Sequence, residues 1–554
     1  MSYLKRQSKQ RAPQSAPIPG SDQVRNSAGG YAWAVDDWTR LRRFLTLGSE
    51  GGTYYAGEWK LTRENAEVVE HCLAADGVRA VTEIVAVSDA GRAPKNDPAI
   101  FALAMAGAGD EPTRKAALDA LPRVCRTATH LFQFATFVEG FRGWGRSLRR
   151  AVGGWYARLS PDSLAYQAVK YRQRDGMTHR DVLRLAHPAA SVSAGNPTLE
   201  LTDEHRRLFE WIARGGSVAG LPRIVEGFTL VQSAESPARA AELVREYGLP
   251  REAVPTELLA SAEVWAALLE DMPMTALVRN LATMTRVGVL APGSEGAARA
   301  VAQLGDAERI RAARVHPIAL LAALHTYASG RGVRGSHSWT PVAPIVDALD
   351  AAFYTAFENV EPSGKRLLLA LDVSGSMGSG WVAGVPGLTP REASAALALV
   401  AAATEQSYAI VGFHAGRGGW KSGRSRGGGW GPDGLTPLAI SPRQRLDDAV
   451  KAVSGLPFGG TDVALPMLYA HTKGLEIDTV VIYTDSETWA GGVHPAQALR
   501  DYRAASGIDA RLVVVGMVSN GFSVADPADP GMLDVVGFDT PTPQLISDFA
   551  RGAL

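Results

Sequence analysis

The sequence predicts two bodies of different class in one chain: an all-α region of stacked helix pairs, then an α/β domain on a doubly wound parallel sheet. Three observations predict this. From about residue 31 to about 358, Ala/Leu-rich segments carry apolar residues three and four apart and break at short intervals on Gly, Pro, Asp or Ser. From about residue 360 onward, short apolar runs alternate with helical stretches, as in a sheet covered by helices on both faces. Finally, 46% hydrophobic and 21% charged residues in a 554-residue chain suit a globular protein with more than one core, which excludes wholesale disorder and fibrous classes.

Residues 1–25 read as a disordered basic arm, with Lys5, Arg6, Lys9, Arg11 and Arg25 among Gln, Ser and Pro. The arm lacks the apolar core of a signal peptide, and no stretch reaches the roughly 18 apolar residues of a membrane helix. The helical region covers 26–358, with helices expected at 65–75, 98–106, 113–121 and 236–247 and breaks at Gly77, Gly109-Asp110, Leu249-Pro250 and Gly293. No fixed-period repeat is visible, so stacked pairs are inferred from helix density alone. The α/β domain covers 359–554, with strands expected at 366–371, 408–413, 478–484 and 510–517 and helices at 391–404, 444–453, 495–505 and 542–552. Residues 415–437 hold nine glycines with Arg417, Trp420, Lys421, Arg424, Arg426 and Trp430, a low-complexity insertion where the pattern needs only a loop.

Charge and cysteine usage narrow the function classes. With 57 basic and 57 acidic residues the chain is no non-specific nucleic-acid packager, although a local basic face remains open. Cys72 and Cys125 form no CxxC, which argues against a zinc site or disulfide framework and for a reducing, cytoplasmic setting.

Two constellations carry chemistry. Asp372-Val373-Ser374-Gly375-Ser376 begins where the first predicted strand of the α/β domain ends, Gly459-Gly460-Thr461-Asp462 precedes a helical start, and Asp485 closes the strand 480–484. In a doubly wound sheet these strand-end loops share one edge. Their carboxylates and hydroxyls are hard oxygen ligands of small total charge, suited to Mg²⁺ or Mn²⁺ with an open position for a partner's oxygen. These residues resemble the von Willebrand factor A domain and its metal-ion-dependent adhesion site; the resemblance assigns Asp372, Ser374, Ser376, Thr461 and Asp485 as ligands.

The second constellation is basic. Between Leu121 and His187 twelve Lys or Arg side chains face only four acidic ones, with nine aromatics interleaved. Clustered arginines clamp phosphates, and aromatics or guanidinium planes stack on unpaired bases. Most of the aromatics, Trp144 and Tyr171 included, are expected to be core rather than stacking platforms.

The wording of the helical region resembles the TROVE module of the Ro ribonucleoprotein autoantigen family. The matching strings include Asn26-Ser27-Ala28-Gly29-Gly30-Tyr31, Gly48-Ser49-Glu50-Gly51-Gly52-Thr53-Tyr54-Tyr55, Arg126-Thr127-Ala128-Thr129-His130-Leu131-Phe132 and Lys170-Tyr171-Arg172-Gln173-Arg174. The family pairs this module with a C-terminal A-type domain, in which Thr484-Asp485-Ser486-Glu487-Thr488 is also Ro-like. The resemblance implies a ring of HEAT-like repeats closed by the A-type domain and a bacterial member; a monomer is expected, and the lack of a spanning segment argues against a membrane partner. The resemblance also implies Y RNA on an outer basic surface and the single-stranded 3′ ends of misfolded noncoding RNA in a central hole, a role in RNA quality control. Lys170, Arg174 and His187 match the family's Y RNA-contacting positions; charge extends the set to Arg172 and Gln173, and further to His130, Arg146 and Arg149. Arg417, Arg424 and Arg426 with Trp420 and Trp430 are expected to form an auxiliary RNA contact. Bacterial relatives imply an exoribonuclease partner, polynucleotide phosphorylase, tethered through the Y RNA.

Two other classes compete. One is a metal-dependent protein-docking module serving as a scaffold. The other, a metal-dependent nuclease or phosphatase, lacks sequence support: there is no GxxxxGK[ST], no second metal cluster and no nucleophile–base pair, so a non-enzyme is expected.

Overall fold

In a computed structural model, the described residues are 11–26, 29–34, 36–47, 66–90, 96–174, 176–188, 201–313, 315–332, 337–378, 381–382, 388–414, 434–454, 456, 460–485, 488–517, 522–536 and 542–552. The chain divides into two compact units. One comprises residues 61–315 and 326–352; the other comprises 1–60, 316–325 and 353–554.

The first unit is helical. Its helices open on polar caps that the sequence spells out: Asp110 accepts from the Thr113 amide before Glu111–Val124, Ser160 from Ser163 before Pro161–Lys170, and Ser236 from Arg239 before Pro237–Tyr247. Helices pack on a sequence neighbour or on the next but one, as Glu67–Asp89 does with Asp97–Gly107 and Glu111–Val124. That is the contact pattern of stacked helix pairs. The break expected at Gly77 is a kink inside Glu67–Asp89, where Asp76 leaves helical geometry (φ −159°, ψ 92°). A Cβ on Gly77 would lie 1.9 Å from Thr113 Oγ1, so only glycine lets these helices approach.

The second unit is the α/β domain. Strands β1 (Gln23–Arg25), β2 (Tyr31–Ala34), β5 (Arg366–Asp372), β6 (Ser407–Phe413), β7 (Leu435–Pro437), β8 (Thr479–Thr484), β9 (Arg511–Gly516), β10 (Phe522–Ser523) and β11 (Met532–Val536) belong to it, whereas β3 (Gln173–Arg174) and β4 (Met177–Thr178) belong to the helical unit. The main sheet runs β11-β9-β8-β5-β6-β7, parallel except for β7. Along β5, Leu368 and Ala370 join a core with Leu465, Met467, Leu499 and Tyr502 from the helices Leu465–Lys473 and Pro495–Ser506. Leu367 and Leu369 line the opposite face with Leu397, Val400 and Ile546 from Pro390–Thr404 and Thr542–Arg551. Alternation with period two thus buries both faces.

Three sequence expectations are corrected here. Residues 11–25 are not a disordered arm: β1 pairs with β2, and β2 pairs with β10. The helical body does not begin at 26, because Trp33 is buried in the α/β core and residues 1–60 cluster with that unit. The β1–β2 pair is fixed by β10, nearly five hundred residues away, which local periodicity does not encode. The insertion 415–437 is not all loop: Leu435–Pro437 adds the antiparallel edge strand through Val411↔Pro437, Gly412↔Thr436 and Phe413↔Leu435. Residues 415–433, with the proposed auxiliary arginines and tryptophans, lie outside the described residues, as do 48–55.

Candidate RNA-binding face and metal centre

The basic stretch lies wholly within the helical unit. Lys170 ends the helix Pro161–Lys170; β3 and β4 then form a hairpin turning at Gly176 (φ 80°). The helix His179–Ala186 follows, started by a capping box in which Asp181 Oδ2 accepts from the Thr178 hydroxyl (2.6 Å) and amide (3.0 Å). One of the four acidic side chains of the stretch is thereby engaged as a cap. The helix ends at His187, which alone among the described non-glycine residues has a positive φ (46°). That conformation costs a side chain about 1 kcal/mol and leaves the imidazole exposed at the helix end.

Arg172, Gln173 and Arg174 are exposed on the hairpin, and Lys170 is half-buried. Lys170 Nζ donates to the Tyr166 hydroxyl (2.9 Å); burial pulls its pKa down, but Tyr166, Tyr171 and Glu252 outweigh burial and the net direction is upward. The Arg172 guanidinium lies 4.7 Å from the Phe228 ring centroid. Helix Ala128–Phe141, carrying His130, contacts the hairpin and His179–Ala186; helix Arg146–Ala157, carrying exposed Arg146 and Arg149, also contacts His179–Ala186. Sequence-distant candidates therefore sit on mutually packed elements.

The twelve cations are not equivalent. Arg123 pairs with Asp89, and Arg126 donates to Ser88 O (3.1 Å) and Ser88 Oγ (3.0 Å). By contrast Arg142, Arg146, Arg149, Arg150, Arg158, Arg174, Arg180 and Arg184 are exposed with no acidic partner among the described residues. His130 is half-buried, and burial and then the Arg126 charge lower its pKa, which favours the neutral imidazole. The aromatics Phe132, Phe134, Trp155 and Tyr156 are buried as packing residues.

In the α/β unit, β5 and β8 flank the point where the sheet order reverses, the crevice in which such folds build sites. Asp372 at the end of β5 is fully buried; its Oδ1 accepts from the Ser374 amide (2.8 Å) and its Oδ2 from the Thr484 hydroxyl (2.7 Å). Ser374 Oγ lies 3.1 Å from Ser376 Oγ. Burial and the neighbouring Asp485 carboxylate push the Asp372 carboxyl well above the ordinary range. Thr461 is buried, and its carbonyl accepts from the Trp489 (3.3 Å) and Ala490 (3.2 Å) amides just beyond Asp485. Two carboxylates and three hydroxyls at one sheet edge form a hard-oxygen set; two buried like charges side by side are what a divalent cation would relieve.

The N-terminal and C-terminal parts match separate families: the TROVE domain over residues 24–214 and 248–327, and the Ro60 vWA domain over 366–550. The chain belongs to the Ro60 family. The RNA-binding protein RO60 of Deinococcus radiodurans is 43% identical over 533 residues, 96% of each chain. The RNA-binding protein RO60 of Caenorhabditis elegans is 35% identical over 616 residues, covering 98% of this chain and 92% of that protein. The crystal structure of the Deinococcus radiodurans RO (RSR) protein aligns with a TM-score of 0.73 at 42% identity, over 94% of this chain and all of that one.

Two residues of this Ro60-family chain matter structurally and were given no role from sequence. His179 is buried under Phe132; Tyr156 OH lies 2.9 Å from its Nδ1 and Gln167 O lies 3.3 Å from its Nε2, and burial pushes its pKa down to about 4. Gln14, in the arm, is fully buried beside the candidate metal loops. No helix among the described residues is long and apolar enough to cross a membrane, and Cys72 and Cys125 are buried.

Proposed function

We propose that this protein is a non-catalytic RNA-binding protein of the cytoplasm. It holds a small noncoding Y RNA on the basic face of its helical unit and admits the single-stranded 3′ ends of misfolded noncoding RNA to a passage within a ring of HEAT-like repeats. It acts as a monomer in RNA quality control, with an exoribonuclease such as polynucleotide phosphorylase tethered through the Y RNA. The observation that carries this reading is the set of exposed arginines without acidic partners among the described residues, concentrated in one stretch of an electroneutral chain. The names of the curated relatives support the RNA part of it.

The physics suits the task. Misfolded RNAs share no sequence, so affinity must come from phosphate contacts, and a narrow passage would select an unpaired end. Lys170, Arg172, Arg174, Arg146 and Arg149 would contact phosphates, with Gln173 and His187 adding hydrogen bonds. Binding of a small stem-loop RNA with a 3′ single strand is expected to weaken steeply between 50 and 200 mM salt, by several decades for about six to ten phosphate contacts. A flat salt response measured by filter binding would contradict the reading. His187→Gly is expected to stabilise the fold by up to about 1 kcal/mol, by relieving the left-handed side chain, while weakening RNA binding. A variant less stable in thermal unfolding, with unchanged RNA affinity, would count against that role.

The metal residues support a second, compatible activity. Asp372, Ser374, Ser376, Thr461 and Asp485 would hold Mg²⁺ or Mn²⁺, which supplies a Lewis-acidic docking point for a partner's carboxylate or phosphate oxygen. The like-charged buried pair Asp372 and Asp485 favours this. In that role the α/β unit is a scaffold for a partner protein.

A further inference from the structure

We infer that the N-terminal arm is a working part of this metal centre, and that Gln14 is the residue that positions its threonine loop; this rests on the metal reading above. Gln14 is completely buried, although it belongs to a Pro/Ser/Gln-rich segment that reads as disordered. Its side-chain amide joins two loops. Nε2 donates to Asp462 Oδ1 (2.8 Å) and to Val493 O (2.9 Å), and Oε1 accepts from the Thr488 hydroxyl. Asp462 adjoins the ligand Thr461, and Thr488 lies three residues beyond the ligand Asp485. The same amide therefore pins both loops that carry ligands from outside β5.

The fit is specific. A Cβ on Gly491 would lie 2.1 Å from Gln14 Nε2 and 2.3 Å from Asp462 Oδ1, so the loop is cut back to glycine where the amide enters. The backbone holds Gln14 in place: its N–H donates to Gly491 O (2.8 Å) and its carbonyl accepts from Tyr31 N (2.8 Å). Asn26 Nδ2, just past the arm, donates to Thr488 O (2.8 Å), a second tie to the same loop. A neutral hydroxyl such as that of Thr461 is a weak donor to a cation, and its contribution depends on being held in place beforehand. Gln14 supplies that restraint and also gives the buried Asp462 carboxylate a donor.

The test is isothermal titration of the full chain with MnCl₂, alongside thermal unfolding. Gln14→Ala is expected to raise the Mn²⁺ Kd about tenfold or more. Thr488→Val, which keeps the shape and removes only the hydroxyl, is expected to do the same and carries the test if Gln14→Ala does not fold. Gln497→Ala removes the acceptor for the Ala12 amide (3.2 Å) farther along the arm and is expected to leave Mn²⁺ affinity unchanged. Wild-type affinity in Gln14→Ala and Thr488→Val overturns the inference, as does an equal loss in Gln497→Ala, which would reduce it to arm docking. A wild-type chain that binds no Mn²⁺ overturns the metal reading itself, and this inference with it.

Discussion

Replacing Lys170 and Arg174 together by alanine is expected to weaken RNA binding by about two decades and to lower the log–log salt slope by about two. A hydrogen bond to a charged group contributes roughly 1.5 kcal/mol or more, and each 1.4 kcal/mol is about tenfold. Each phosphate left without its cation also subtracts about one released counterion from the slope. Both residues bracket one turn of chain: Lys170 ends a helix and Arg174 stands on the hairpin that follows, exposed and without an acidic partner among the described residues. Arg123→Ala is the matched control. Its guanidinium already engages Asp89, so binding it to a phosphate would mean breaking an ion pair, and the variant is expected to bind within about twofold of wild type. Equal losses in the two variants would mean that net charge, rather than this face, governs binding.

How far the sequence discloses such a face depends on the range of the forces that build each piece. The strand β5 and the aspartate that ends it are legible because an apolar run stopping on a carboxylate is a local signal. Helix caps such as Ser160, Thr178 and Ser236 are legible for the same reason. The strands β1, β2, β10 and β11 are not. They are two to five residues long, β11 is interrupted by Asp534, and the β2–β10 pairing joins segments nearly five hundred residues apart. Gln14 is the sharpest case, since the partners of its side chain that make its burial favourable, Asp462, Thr488 and Val493, lie more than four hundred residues away. Charge counting likewise found the basic stretch but could not separate Arg123, held by Asp89, from Arg174, which stands free of acidic neighbours among the described residues. The expectation of a HEAT-like ring with a passage came from family resemblance, not from any period in the residues.

Asp372→Asn is expected to abolish divalent-cation binding and to flatten the stability of the ion-free protein against pH. Burial, then Asp485, holds the Asp372 carboxyl above its ordinary range, and burial pushes Asp462 up to about 6 from 3.8. An acid with a raised folded pKa binds its proton more tightly when folded. The associated stability is therefore complete below the unfolded value and is lost as pH rises through the folded one. For Asp462 that window runs from about 3.8 to about 6, a loss of order 3 kcal/mol at about 1.4 kcal/mol per unit. Asp372 extends the decline to higher pH. A divalent cation reverses the Asp372 part, because it binds the ionised form and only the folded chain assembles the ligands. Denaturant unfolding of wild type without metal should thus show stability falling above pH 5, and millimolar Mg²⁺ should recover much of the loss at pH 7.5. In Asp372→Asn the Mg²⁺ gain should vanish and the decline above pH 6 should flatten, while the Asp462 part at lower pH persists. The wild-type-minus-variant difference is the decisive quantity, since it cancels carboxylates such as Asp110 and Asp478, whose lowered pKa values tilt the profile the other way. An Mg²⁺ gain in the variant equal to that of wild type would show that the cation binds elsewhere, and the loops beyond β5 and β8 would then be structural turns.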